Sequence, residues 1–123
     1  ILLSDDKDNI SKNLIRLSDQ RQVNLIITTG GTGFSNRDNT PEATTAVMTR
    51  NAPGIAEAIR FQSMKYTKRA MLSRGVSVIR NNTLIVNLPG SEKAVSESME
   101  VIMGTVEHGI KILINEAHDC ARV

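Results

Sequence analysis

The chain has 123 residues, 40% of them hydrophobic and 23% charged, a composition that fits one globular domain and excludes a disordered or fibrous chain. A single cysteine, Cys120, rules out an internal disulfide, and a formal charge of +2 with 2% aromatics and no tryptophan argues against nucleic-acid binding. No apolar run approaches the roughly 20 residues of a membrane-spanning helix, and the start lacks the basic-then-apolar order of a secretory signal, so the expected location is the cytoplasm.

The chain opens on Ile1-Leu2-Leu3, which reads as the end of a strand, and the expectation is a domain over 1–123 that is incomplete at its N-terminus. Ser4-Asp5-Asp6 then starts a helix, and Ile10, Leu14 and Leu17 recur at helical spacing to about residue 20. Residues 23–29 form a short, nearly continuous apolar run, the pattern of a buried parallel strand, and they end in a glycine cluster. Thr40, with Pro41 at the first helical position and Glu42 in the first turn, opens a second helix toward Arg50. Pro53 starts a third, to about Thr67, with Ile55, Ile59 and Met64 on its buried face. Two strands, 76–80 and 83–88, are separated by Asn81-Asn82, residues that tolerate the positive φ of a tight hairpin turn. After Pro89-Gly90, Ser91 caps a long helix to about Ala117, in which Val95, Met99, Ile102, Met103, Val106, Ile110, Leu113 and Ile114 hold one face and Gly104 and Gly109 are points of bending. The fold class that follows is α/β: a mostly parallel sheet with helices on both faces and an antiparallel edge hairpin.

Ligands of open α/β sheets bind beyond the carboxyl ends of the parallel strands. With 23–29 and 83–87 as parallel neighbours, the segment Thr28 to Gly33 and the segment Leu88 to Ser91 share that edge. Strand 76–80 runs the other way, so Ser73 and Arg74 at its beginning join them. Gly30, Gly31, Thr32 and Gly33 let backbone N–H groups approach an anion closely. The loop lacks the Gly-Lys-Ser/Thr of a P-loop and the Gly-x-Gly-x-x-Gly of a dinucleotide fingerprint. Asp38, nearby, would repel a phosphate unless a hard cation such as Mg²⁺ bridged the two, which makes it the leading catalytic and metal-binding candidate. Its alternative is a turn or helix cap, and that of Arg37 a solvated loop charge.

The remaining candidates carry plainer alternatives. Ser73 and Arg74 suit an anion or a solvated loop, and Pro89-Gly90-Ser91 suits a turn with a helix cap, or a backbone that recognises a base or holds the helix N-terminus against an anion. Asp5-Asp6 reads as helix capping, Glu42 as a partner of the helix dipole, and Lys65, Lys68 and Arg69 as a solvated helix end. His108, His118 and Cys120 read as structural or exposed, and Met99 and Met103 as core filler.

Taken in order, Thr28-Thr29-Gly30-Gly31-Thr32-Gly33-Phe34, Arg37-Asp38, Thr40-Pro41-Glu42-Ala43-Thr44, Ala52-Pro53-Gly54, Met71-Leu72-Ser73-Arg74 and Asn87-Leu88-Pro89-Gly90-Ser91 resemble the molybdenum-cofactor biosynthesis family. Within it, the similarity is greatest to the molybdopterin adenylyltransferases and the G domain of gephyrin, over about residues 1 to 115. The resemblance implies transfer of AMP from Mg-ATP to the molybdopterin phosphate, with ATP and molybdopterin as substrates and Mg²⁺ as cofactor. It implies that Gly30, Gly31, Thr32 and Gly33 hold phosphate and that Asp38 handles magnesium. It further implies that Ser73 and Arg74 face the pterin, and that Leu88, Pro89, Gly90 and Ser91 line the nucleotide side. Family members begin with a further stretch that carries a Ser-Asp strand end and another acidic residue, expected upstream of Ile1. The resemblance also implies a homotrimer and a downstream molybdenum insertion protein as partner. The alternative is a non-catalytic pterin- or nucleotide-binding module, or a trimeric scaffold of the same fold.

Overall fold

The computed structural model describes residues 1–121, with side chains through 115; His118 and Cys120 lie outside the residues whose side chains are described. Helix α1 spans Lys7–Ile15 and continues through a wider π-type turn over Arg16–Gln20. Its entry residue, Asp6, makes no side-chain cap. Strand β1 is Leu25–Thr29, helix α2 Thr40–Val47 and helix α3 Pro53–Ser63. Strands β3 (Ser77–Arg80) and β4 (Thr83–Leu88) make the hairpin, and helix α4 runs unbroken over Glu92–Ala121. Two elements are absent from the sequence reading. Strand β2 is only Arg50–Asn51, and a 3₁₀ helix at Lys68–Leu72 starts where the Thr67 side chain accepts from the Arg69 amide.

The sheet order is β1-β4-β3-β2. Strands β1 and β4 pair in parallel, with Ile26 opposite Ile85 and Thr28 opposite Asn87, while β3 is antiparallel to both β4 and β2. Three of the four strands therefore point the same way, and β2 lies outside the hairpin. Asn81 takes up the turn with φ of 52°, a left-handed conformation that asparagine tolerates better than most residues.

Alternation along β4 assigns the two layers. Ile85 points into a core with Ile26, Val78, Ile10 and Leu14 of α1, and Ala43 and Val47 of α2. Leu84, Val86 and Leu88 point the other way, onto Ile59 of α3 and Ile102, Val106 and Leu113 of α4. A six-residue strand with every residue buried is an interior strand of a sheet covered on both faces. Strand β1 lies at a sheet edge, so of its apolar run only Ile26 is buried.

Several expected core positions are exposed. Met64, Met103 and Ile114 are each more than a third exposed, because α3 and α4 form the outer layer and only their inward stripes are covered. Gly104 and Gly109 do not split α4, and a Cβ at either would meet nothing within 4 Å.

Candidate active site

At the carboxyl ends of β1 and β4 the two loops meet glycine to glycine. The Gly30 amide donates to the Leu88 carbonyl at 3.0 Å, and a Cβ on Gly90 would lie 3.3 Å from the Cα of Gly30. Gly30 and Gly31 have φ of 86° and 69°, a region open to glycine at little cost. The Gly31 carbonyl then accepts from the Thr40 amide at 3.2 Å, which seats the loop on the start of α2. Among the described residues, the amides of Gly31, Thr32 and Gly33 have no acceptor. Successive unpaired N–H groups following left-handed glycines form an anion-binding concavity. The Gly30 N–H is already engaged and adds no free donor, and Thr32, whose amide is among the unengaged ones, is itself a buried residue.

Asp38 is half-buried beside this concavity. Its Oδ2 accepts from the Ser35 amide at 3.0 Å and lies where a Cβ on Gly33 would come within 2.8 Å. Oδ1 has no hydrogen-bond partner among the described residues. The carboxylate thus faces the glycine turn. Arg37, as its alternative reading had it, is an exposed loop residue.

Arg74 holds the loop from the third side. Its amide donates to the Thr32 carbonyl at 2.8 Å, and its Nε and Nη2 donate to the carbonyls of Gly33 and Asp38 at 2.8 and 2.6 Å. The same guanidinium pairs with Glu42 at 2.5 Å. Hydrogen bonding by Arg74 lowers the Glu42 pKa below the ordinary glutamate value, and the same bond raises that of Arg74. Glu42 is therefore an ion-pair partner as well as a first-turn acid. Ser73 presents its hydroxyl to the Gly75 amide at 3.3 Å, and Arg60 of α3 holds the Ser73 and Gly75 carbonyls at 3.3 and 2.7 Å.

Beneath the loop lies a buried polar network that sequence reasoning did not single out. Asn87, 3% exposed, donates to the hydroxyls of Thr28 and Thr44 at 2.9 and 3.1 Å and accepts from the Val76 amide at 3.1 Å. Thr44 donates in turn to the Thr40 carbonyl at 2.8 Å. A buried amide with all three contacts made fixes β1, β3, β4 and α2 in one relative position. A polar residue inside an otherwise apolar strand was the available signal.

Two cavities flank the loop. One, of about 400 Å³, is bounded by Thr29, Gly30, Gly31 and Thr40 on one side and by α1 and the segment Ile1 to Asp5 on the other. Asp5, read from the sequence as a helix cap, thus lines the same cavity as Gly30 and Gly31. The second, of about 390 Å³, is lined by Gly33, Phe34, Ser73, Pro89 and Ala94, among others, so the three expected segments do converge. Leu88 and Ser91 contribute otherwise than expected. The Leu88 side chain is wholly buried in the α3–α4 core and reaches the site only through its carbonyl. Ser91 accepts from the Ala94 amide at 3.1 Å as the cap of α4. His108 is exposed on α4.

The family model described as a probable molybdopterin binding domain matches residues 1–108. The chain is 41% identical over 113 residues to the molybdopterin adenylyltransferase of Helicobacter pylori, covering 92% of this chain and 64% of that protein. It is 42% identical to the molybdopterin adenylyltransferase of Escherichia coli K12, over 89% of this chain and 58% of that one, so it spans less than two thirds of the length of these relatives. A crystal structure of a molybdopterin biosynthesis enzyme from Thermus thermophilus superposes with a TM-score of 0.83 at 42% identity, over 89% of this chain and 69% of that one. By its fold, its glycine loop and these matches, the chain belongs to the molybdopterin-binding domain family of molybdenum-cofactor biosynthesis.

Proposed function

We propose that this domain carries the catalytic loop of a molybdopterin adenylyltransferase. The observation behind the reading is the run of unengaged amides at Gly31, Thr32 and Gly33 with the Asp38 carboxylate turned onto it. In the reaction, a terminal phosphate oxygen of molybdopterin attacks the α-phosphorus of ATP. The new P–O bond forms as the bond to the α–β bridging oxygen breaks, and pyrophosphate leaves with that electron pair. Such a step needs in-line positioning and neutralisation of charge more than a strong base.

The three amides bind phosphate oxygens without adding mobile side chains. Asp38, with one carboxylate oxygen uncommitted, would hold Mg²⁺, and Asp5 lines the cavity on the Gly30–Gly31 side of the loop. Mg²⁺ commonly takes one or two carboxylates and completes its shell with water and substrate phosphates, so a single loop carboxylate is enough to hold it beside a phosphate. When bound, Mg²⁺ supplies positive charge to the phosphoryl oxygens. Ser73, on the proposed pterin side, and Pro89 and Gly90, on the proposed nucleotide side, hold the two reactants against the loop.

The same reading carries a cytoplasmic homotrimer that passes its product to a molybdenum insertion protein. No helix is long and apolar enough to cross a membrane among the described residues, and exposed Val101 and Met103 on α4 supply apolar surface for assembly. Pyrophosphate release from the full-length protein with ATP, Mg²⁺ and molybdopterin tests the activity. Asp38→Ala is expected to abolish release by at least about a hundredfold while keeping pterin binding. A protein that binds both ligands and releases no pyrophosphate would be a binding module instead.

A further inference from the structure

Arginine offers five N–H donors in one plane, and in Arg74 the donors reach three separate places. Nε takes the Gly33 carbonyl, Nη2 the Asp38 carbonyl, and Nη1 and Nη2 the two oxygens of Glu42 at 2.5 and 3.3 Å. Gly33 and Asp38 are the two ends of one loop segment. Between them Phe34, Ser35, Asn36 and Arg37 are exposed, and Phe34 is 68% exposed, so no apolar side chain anchors the segment. Inside it, the Asp38 amide donates to the Ser35 carbonyl at 2.9 Å and the Ser35 amide to Asp38 Oδ2 at 3.0 Å. The direction of the Asp38 carboxylate is thus set by a small closed turn whose two ends are held by one guanidinium. That guanidinium is held flat by Glu42 from the first turn of α2.

We propose that Arg74 and Glu42 form a latch that positions the Asp38 turn, and that Arg74 acts as a positioning residue and not as a contact to the anionic substrate. The inference rests on the proposed role of Asp38 and replaces the substrate contact that the resemblance implies for Arg74. Two further points support it. Glu42 neutralises the charge that a substrate anion would need, and most of the donors are already taken. A lysine at this place would supply a point charge without the planar fork that spans both carbonyls and the carboxylate.

Hydrogen exchange of the segment 33–39 in Arg74→Lys, Glu42→Gln and the double variant, followed in the full-length protein, reads the latch without reference to turnover. The Ser35 and Asp38 amides are expected to exchange about threefold faster in E42Q and about tenfold faster in R74K, with the double variant no faster than R74K and the β4 amides unchanged. Alongside, Mg²⁺-dependent ATP affinity and kcat fall together while the KM for molybdopterin holds. Because Glu42 is exposed, E42Q keeps the fold and the test remains decisive even if R74K unfolds. Unchanged exchange in E42Q, or a rise in the molybdopterin KM confined to R74K, would overturn the latch. Faster exchange in a protein that releases no pyrophosphate would leave the latch standing and reject adenylyl transfer alone.

Discussion

At Gly31 an added methyl group has nowhere to go: a Cβ would lie 2.3 Å from the Thr40 hydroxyl and 3.2 Å from its Cβ, on a backbone with φ of 69°. Gly31→Ala is accordingly expected to cost about 1–3 kcal/mol in chemical denaturation. Gly33→Ala meets only the Asp38 carboxylate, at 2.8 Å, and that side chain can swing aside. Its expected effect is a small stability change with a clear loss of Mg²⁺-dependent ATP binding by calorimetry, and Gly54→Ala, with nothing within 4 Å, controls for the added methyl. Glu42 gives a pH signature. Its pKa is lowered in the folded state by hydrogen bonding from Arg74, so the stabilisation is complete above the ordinary glutamate value of about 4.3 and is lost as pH falls through the lower folded value. With both side chains a third or more exposed, solvent screening holds the contribution below about 1 kcal/mol. The stability gap between wild type and E42Q is expected to be flat near neutrality and to close in acid; a gap that widens in acid would refute the pairing. The placement of Asp38 against the glycine turn was legible in the sequence because the two are close along the chain. The commitment of Arg74 to Glu42 was not, since 32 residues separate them and only the fold brings them together.

Elements with strong periodicity or local turn chemistry were the legible ones. Helices α1, α3 and α4, the strands 25–29 and 83–88, and the Asn81 turn all follow from side-chain spacing and backbone preference. Strand β2 is two residues long and exists only because Arg50 and Asn51 pair with Ile79 and Val78, a tertiary condition with no local signal. Periodicity also found the apolar face of α4 without saying how wide a stripe its neighbours cover, so Met103 and Ile114 were misplaced. Two changes test the packing of these elements. Ser98 is 1% exposed on α4 and its hydroxyl has no partner among the described residues. Ser98→Ala is expected to stabilise by about 1 kcal/mol, read as a rise of a few degrees in Tm, and a fall in Tm would mean the hydroxyl is bonded. Asn87→Ala is expected to cost about 2–4 kcal/mol in urea denaturation, because it leaves the Val76 amide and the Thr28 and Thr44 hydroxyls without their shared partner.

Across the whole molecule, the sheet presents its glycine loops at one end and a structural ion pair, Arg80 with Asp19 at 2.8 Å, far along the strands from them. Net charge is only +2, so in the proposed reading attraction of polyanionic reactants would fall to the loop amides and a cation held by Asp38 rather than to a basic surface. The central claim is therefore that Asp38 couples divalent-ion binding to phosphate binding at the glycine loop. Calorimetric titration of ATP into wild-type and Asp38→Asn protein, with and without Mg²⁺, addresses it most directly. The account predicts that Mg²⁺ strengthens ATP binding about tenfold or more in the wild type and hardly at all in D38N. Equal strengthening by Mg²⁺ in the two proteins would contradict it.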